Sequence, residues 1–466
     1  MKFFSAMFLA ALAGTAAAQP APRPTPAPPA PAGAPTPAPP AVPGAPNPAT
    51  PAAPGAPNPA VPTTSEGNEI LTLERALEIA MRQQPNLRIG RAGVEAAAGR
   101  VDQTRVALLP TIDLQARAGV GNRPNDFLSH TQSTGLGASA SWLITDFGQT
   151  SLAIRAAELN ADAAAAGLGT TTLDVRTTVE TTYLEAVARR RLVQVAETTV
   201  KSEDAHLDQA RRFVAAGAKD PIEVAQAQAR DANAKSALAQ AQSNEAIALA
   251  NLRSAIGWVD PTSAPVVSAN FPAPSESDPP ALAALVDTAR RQRPEIVQFD
   301  KQLEAADVAV SAAQAERRPR LTANAQTDWS PGTSDWSPEP SWSAGLVLSW
   351  SLFDGGRASA DARVARANLT TASAQRDALL VSLTSQLDSS RSQIVANRAN
   401  AQASTEAVTA ARAQLQLAEA RYAQGLGSQI ELADAQTAVT TAEGNLVTAE
   451  FQLATAWAQL RRAIAQ

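Results

Sequence analysis

The stretch that decides the fold is Ser341-Trp342-Ser343-Ala344-Gly345-Leu346-Val347-Leu348-Ser349-Trp350-Ser351-Leu352-Phe353-Asp354-Gly355-Gly356. Trp342, Ala344, Leu346, Leu348, Trp350 and Leu352 alternate with mostly serine. A period of two marks a strand with one apolar and one polar face. Past Gly356 the period is lost, and no proline occurs from Arg357 to Arg421. That run predicts one long helix.

Working outward, the same unit stands earlier in the chain. Trp142-Leu143-Ile144-Thr145-Asp146-Phe147-Gly148 precedes Trp350 to Gly356 by 208 positions. Phe213 answers Tyr422, Ile222-Glu223 answers Ile430-Glu431, and Leu252-Arg253 answers Leu460-Arg461, at offsets of 208 or 209. Pro85 and Pro110, like Pro294 and Pro319, are 25 residues apart. The ordered chain therefore reads as two copies of one unit, 67–257 and 281–466, joined by a linker at 258–280. Each unit runs helix, strand, strand, long helix, turn, helix. The strands fall at about 110–122, 134–146, 319–330 and 341–353.

All four strands alternate. Ile112, Leu114, Ala116, Ala118 and Val120 oppose Thr111, Asp113, Gln115 and Arg117. Leu136, Ala138, Ala140, Trp142 and Ile144 form the apolar face of the return strand, and Leu321, Ala323, Ala325 and Trp329 that of the third. A soluble hairpin packed on a helix would alternate too. A transmembrane barrel does so over about ten residues per strand, with aromatics at the interfaces. Trp142, Trp329, Trp336, Trp342 and Trp350 lie in or beside these strands, and Asp113, Arg117, Arg320 and Asp328 on their polar faces suit a wet lumen. In hydrocarbon, an open sheet leaves unpaired backbone groups costing several kcal/mol each. Four strands cannot close, so a membrane-embedded chain has to oligomerise, as two copies or three.

The helices are long. Gln149–Arg212 and Arg357–Arg421 lack proline, and Ile222–Ile256 is a shorter return helix. Leu87 to Leu108 reads as the opening helix, ended by Pro110. Leu432, Ala435, Val439, Ala442, Leu446, Ala449, Leu453, Ala456 and Leu460 recur at steps of three and four, a sustained heptad seam. The first half repeats it from Val224 to Leu252 but departs at Asp231 and Glu245.

The ends and the composition narrow the class. Lys2, an apolar run from Phe3 to Ala13, and Ala16-Ala17-Ala18 before Gln19 read as a secretory signal peptide over 1–18. Residues 19–66 are rich in proline and alanine, a composition too poor in large apolar groups to form a core, and are expected to be a disordered arm. Cysteine is absent, which excludes disulfides, thiolate sites and a lipidated cysteine. A net charge of −5 offers no basic field for nucleic acid. His130 and His206 are too few and too far apart for a zinc site. No nucleophile–base pair or phosphate loop appears, so neither an enzyme nor a cofactor is expected.

The joint pattern resembles the TolC family of outer-membrane efflux proteins. The resemblance rests on Leu71-Thr72-Leu73-Glu74-Arg75-Ala76-Leu77 with Gln84-Pro85-Asn86-Leu87, on Trp350 to Gly356, and on Arg421-Tyr422-Ala423-Gln424-Gly425 with Ile430-Glu431-Leu432 and Ala435-Gln436. It covers nearly all of 69–466. It implies a mixed α and β homotrimer in which twelve strands close one outer-membrane β-barrel, with antiparallel coiled coils forming a periplasmic α-barrel. It implies a passive duct that docks on a periplasmic adaptor and an inner-membrane transporter, with outer-membrane lipid around the barrel. Glu431 and Asp434 would form an acidic ring at the tunnel entrance. Glu223 and Tyr422, with Gly217 and Gly425 at the turns, would form the tip gate and adaptor contact. The arginine expected beside the gate is replaced by Gly427, and the first tip, Phe213 to Ile222, is one residue longer than the second and carries Lys219, Asp220 and Pro221. Efflux is the preferred reading and type I protein secretion the alternative. A periplasmic coiled-coil tether without a conduit is the rival from another class.

Overall fold

The computed structural model describes residues 70–122, 130–259, 266–271, 278–331 and 338–466. The expected signal peptide, the proline-rich arm and Trp336 lie outside the described residues.

The first half opens with β1 (Ile70–Leu71), α1 (Leu73–Gln83) and α2 (Pro85–Arg105). Two strands follow, β2 (Thr111–Asn122) and β3 (His130–Thr145), then α3 (Gln149–Ala215) and α4 (Ile222–Ile256). β4 (Val266–Val267) leads into the second half: α5 (Leu282–Gln292), α6 (Pro294–Ala315), β5 (Arg320–Pro331), β6 (Pro338–Ser349), α7 (Arg357–Ala423) and α8 (Gln429–Ala463).

The opening helix of each half differs from the single element expected. It is two helices meeting at Pro85 and at Pro294. Proline has no N–H to give the preceding turn, yet suits the first turn of a new helix. α2 itself ends at Arg105, and a short 3₁₀ turn fills the remainder to Leu108. The last strand also ends at Ser349 rather than 353. Leu352 therefore lies outside the strand, in the bend that precedes the Asp354-Gly355-Gly356 turn.

α3 and α7 are each 67 residues long, about 100 Å at 1.5 Å per residue. α3 packs along α4 and, on other faces, against α2, α6, α8 and α1. α7 packs along α8 and against α6 and α5. The heptad seam of α8 is buried at Leu432, Ala435, Val439, Ala442, Ala449, Leu453, Ala456 and Leu460, with alanines letting the neighbouring backbones approach. Asp231 and Glu245, which break the matching seam on α4, meet cations: Lys235 bridges Asp231 at 2.8 Å and Asp204 at 3.0 Å, and Arg190 reaches Glu245 at 3.0 Å.

β1 and β4 pair in parallel, Ile70 with Val266 and Leu71 with Val267. Beside them, Leu87, Val179, Tyr183, Val187, Leu252 and Ile256 build the largest core of the first half. Among the described residues, no helix is long and apolar enough to cross a membrane.

Candidate conduit wall and tip gate

The four long strands form one antiparallel sheet in the order β2-β3-β5-β6. Its register runs Leu114, Ala138, Thr327, Trp342 in one row and Gln115, Gly137, Asp328, Ser341 in the next. Residues paired directly across strands share a face, so the whole sheet has one apolar and one polar side. The apolar side is bare: Ile112 is 79 % exposed and Trp342 80 %. The polar side is a shallow trough lined by Gln115, Arg117, Ser139, Gln326, Asp328 and Ser343.

Four of the five expected interfacial tryptophans are described, and all are on or beside this sheet. Trp142 and Trp350 sit at its helix-proximal end, where their indole N–H groups donate at 3.0 Å to the carbonyls of Leu108 and Arg317. Trp342, on β6, stands eight residues ahead of Trp350, which follows the strand's end, about 27 Å along an extended chain. An outer-membrane apolar band is about 25 Å tall, with aromatics at both rims.

Each long helix starts at a carboxylate. Asp146 accepts from the amides of Gly148 and Thr150 at 3.2 and 2.7 Å and from the Thr150 hydroxyl. Asp354 does the same with Gly356 and Ala358 at 2.8 and 2.9 Å. Burial acts to raise the Asp146 carboxyl, but the bonds from Thr150 and Gly148 outweigh it and hold it below the usual carboxylate range. The turn needs left-handed backbone, with Gly355 at φ +66° and Gly356 at +92°. Phe147 holds the first-half turn at φ +55° without being glycine.

At the far end of the helices, Gly217 and Gly425 take φ +71° and +73°. Each closes its helix with a paired reverse bond: Gly217 N–H to Val214 and Ala218 N–H to Phe213, then Gly425 N–H to Tyr422 and Leu426 N–H to Arg421. These turns bring Glu223 and Tyr422 together. The Tyr422 hydroxyl donates to Glu223 Oε2 at 3.0 Å, and Gln429 Nε2 donates to the Glu223 carbonyl at 2.9 Å. Tyr422 is 1 % exposed and meets Phe213 edge to face at 5.6 Å. Burial, then the Glu223 carboxylate, pushes its phenol up to about 12.

Gly427 has a steric reason. A Cβ there would lie 3.0 Å from the Tyr422 amide nitrogen and 3.2 Å from the Arg421 carbonyl carbon. The cation beside Glu223 and Tyr422 is Lys219, whose Nζ is 3.4 Å from Glu223 Oε1 and 5.3 Å from the Tyr422 ring centroid. Sequence reasoning missed this role. The i, i+4 spacing of Lys219 and Glu223 was its only local signal.

Glu431 and Asp434 are both exposed on α8, one turn apart. Glu431 also pairs with Arg421 at 3.3 Å, so its charge is partly matched, whereas Asp434 faces a groove lined by Ala403, Ser404 and Ala407 of α7.

A polar seam joins α3 to α8 above the tip. Asp174 takes Arg462 at 2.8 Å, Glu180 takes Arg461, and Glu450 takes Arg191. Lower down the links are neutral: Thr199 to Thr440 at 3.0 Å and Ser202 to Gln436 at 3.0 Å. His206 shares this stretch, 3.2 Å from the Ser202 hydroxyl. Among the described residues, no group of three metal-binding side chains converges.

Comparison with known proteins agrees with this geometry. The family model "Outer membrane efflux protein" matches twice, over residues 76–258 and 285–466. Protein CyaE of Bordetella pertussis is 30% identical over 383 residues, 79% of this chain and 78% of CyaE. Two solved structures share the fold. The CmeC outer membrane channel of Campylobacter jejuni has TM-score 0.73 and 18% identity, covering 87% of this chain and 90% of CmeC. The open-state MtrE outer membrane channel of Neisseria gonorrhoeae has TM-score 0.70 and 20% identity, covering 84% and 88%. A sheet bare on its apolar face, helical hairpins about 100 Å long and a match that spans both halves lead to one conclusion: the chain belongs to the outer membrane efflux protein family, the TolC family, and is an outer-membrane channel protein with a periplasmic extension.

Proposed function

We propose that the chain is the outer-membrane exit duct of a tripartite efflux pump, working as a homotrimer that passes small molecules outward without catalysis. The observation that carries this is the four-stranded sheet: apolar outside, polar inside and open at both edges, β2 and β6. Three copies would supply twelve strands and pair every edge, as hydrocarbon demands.

The helices support the same closure. α3 lies between α2 and α6, and none of its large apolar side chains is among the exposed ones. α7 has α6 on one side and, among the described residues, no pillar of comparable extent on the other. It exposes Val364, Val381, Val395 and Leu417. In a ring of equivalent halves, α2 of the next copy takes that place, just as β2 of the next copy pairs with β6. The two halves then act as structural equivalents around the channel.

In this reading, residues 1–18 are removed on export and 19–66 form the arm ahead of the first repeat. Glu431 and Asp434 ring the tunnel entrance. Glu223, Tyr422, Gly217 and Gly425 make the tip gate that meets a periplasmic adaptor, itself bound to an inner-membrane transporter. A type I secretion system would use the same duct with different partners. A tether leaves the bare sheet without a use.

The test is single-channel recording of the purified protein in a planar bilayer, with oligomer mass taken from the same sample. Steady conductance from a trimer is expected. A soluble, non-conducting chain would return the tether reading to first place.

A further inference from the structure

The first tip is one residue longer than the second, and the reading above gives the extra length no work. Its residues are specific. Asp220 Oδ1 accepts from the Ile222 amide at 2.9 Å and Pro221 precedes the first turn of α4, so the loop is fixed where it enters the helix. That fixing sets Lys219 four residues ahead of Glu223 on the side facing Tyr422.

Three groups meet there from two hairpins. Lys219 and Glu223 belong to the α3–α4 tip, Tyr422 to the end of α7. Glu223 uses both carboxylate oxygens, Oε1 toward Lys219 and Oε2 toward the Tyr422 hydroxyl. The ammonium also lies over the Tyr422 ring, within cation–π range. Both charged side chains are mostly shielded, at 21 % and 16 % exposure, so the pair is screened less than a surface bridge.

We infer that Lys219 is the positioning residue of the tip gate: its ammonium holds Glu223 in place for Tyr422 and so locks the two hairpins of one protomer together in the closed state. The lock is internal to the chain. It needs no cation at position 427, where a Cβ would press on the Arg421–Tyr422 backbone. The inference rests on the duct reading above, and its test separates the two.

The experiment records bilayer conductance of the full-length oligomer for wild type, Lys219→Gln, Lys219→Arg, Glu223→Gln and Tyr422→Phe. Oligomer yield on a gel confirms assembly for each. The expected result is a rise of about tenfold in the open-to-closed ratio for Lys219→Gln, the scale of a lost charge-assisted hydrogen bond. Lys219→Arg should stay near wild type, because it restores the charge. Added salt should raise opening in wild type and change Lys219→Gln much less. If Glu223→Gln and Tyr422→Phe open the channel while Lys219→Gln behaves as wild type, the lysine lock is wrong and the gate stands. If wild type conducts and none of the variants changes conductance, the lock is wrong and the duct reading stands; if wild type does not conduct, the duct reading falls and the lock with it.

Discussion

Replacing Asp146 with alanine tests how the sheet is joined to the long helices. The carboxylate is 5 % exposed and serves two backbone amides and one hydroxyl. Alanine leaves the Thr150 amide without an acceptor in a buried corner, and the Gly148 amide half so. A buried unsatisfied donor costs about 1–3 kcal/mol, and losing an aspartate cap about 0.5–2 kcal/mol. Asp146→Ala should therefore cost about 2–3 kcal/mol, and Asp146→Asn clearly less. Asp354 makes the matching bonds at an exposed position, so Asp354→Ala should cost less than Asp146→Ala. The assay is the temperature at which the purified oligomer dissociates on a gel, at one fixed heating rate because unfolding here is a kinetic quantity. The sign with pH follows from the lowered carboxyl of Asp146. Its contribution is complete above the unfolded value, near pH 4, and is lost as pH falls through the folded value. The gap between wild type and Asp146→Ala should close in acid. Equal shifts for the two alanine variants, or a gap that persists in acid, would refute the reasoning.

Other outcomes follow from the remaining sites. Alanine at Glu431 and Asp434 should weaken block by multivalent cations without preventing assembly. Because Arg421 partly matches Glu431, Asp434→Ala should account for the larger share, and unchanged block in bilayer recordings would count against the acidic entrance. Tyr183 and Tyr422, the only two tyrosines, both have phenols raised by burial, Tyr422 to about 12. An absorbance titration should show less than half of the phenols ionised at pH 10, and Tyr422→Phe should remove the step near pH 12. Leu346→Arg puts a charge on the apolar face of β6 and should cost about 2–4 kcal/mol at mid-membrane depth, read as lost oligomer in the membrane fraction. Gln326→Arg on the polar face should leave the yield near wild type, and equal losses would mean the faces are misassigned.

Much of this was written locally. Alternation in Ile112 to Arg117 and Trp342 to Leu348 gives strands with two distinct faces, because successive side chains point to opposite sides. The absence of proline from 149 to 212 gives the first long helix, and Leu432 to Leu460 gives the seam it shares its geometry with. Pro85 and Pro294 signalled a helix start, yet the helices ahead of them, Leu73–Gln83 and Leu282–Gln292, were too short to stand out beside the long ones. β1 and β4, two residues each, carry no period at all and exist only as each other's partners.

The tip was half legible. Glu223, Tyr422, Gly217 and Gly425 could be named from spacing and resemblance, since turn glycines and a repeated Ile-Glu pair are local signals. The roles of Lys219 and Gly427, both singled out in the sequence, could not. Whether a lysine reaches a carboxylate and a ring depends on the path of the six-residue loop between α3 and α4 and on a helix end some 200 positions away. Asp231 and Glu245 looked like faults in a heptad for the same reason: the cations that match them include Arg190, on the neighbouring helix.

The sequence by itself determined the long strands, the long helices and the repeat, because periodicity and proline act over neighbouring residues. Only the tertiary structure decided which charges meet, which helix face stays bare and which cation stands beside Glu223 and Tyr422, because those follow from distances between segments that the chain brings together only when it folds.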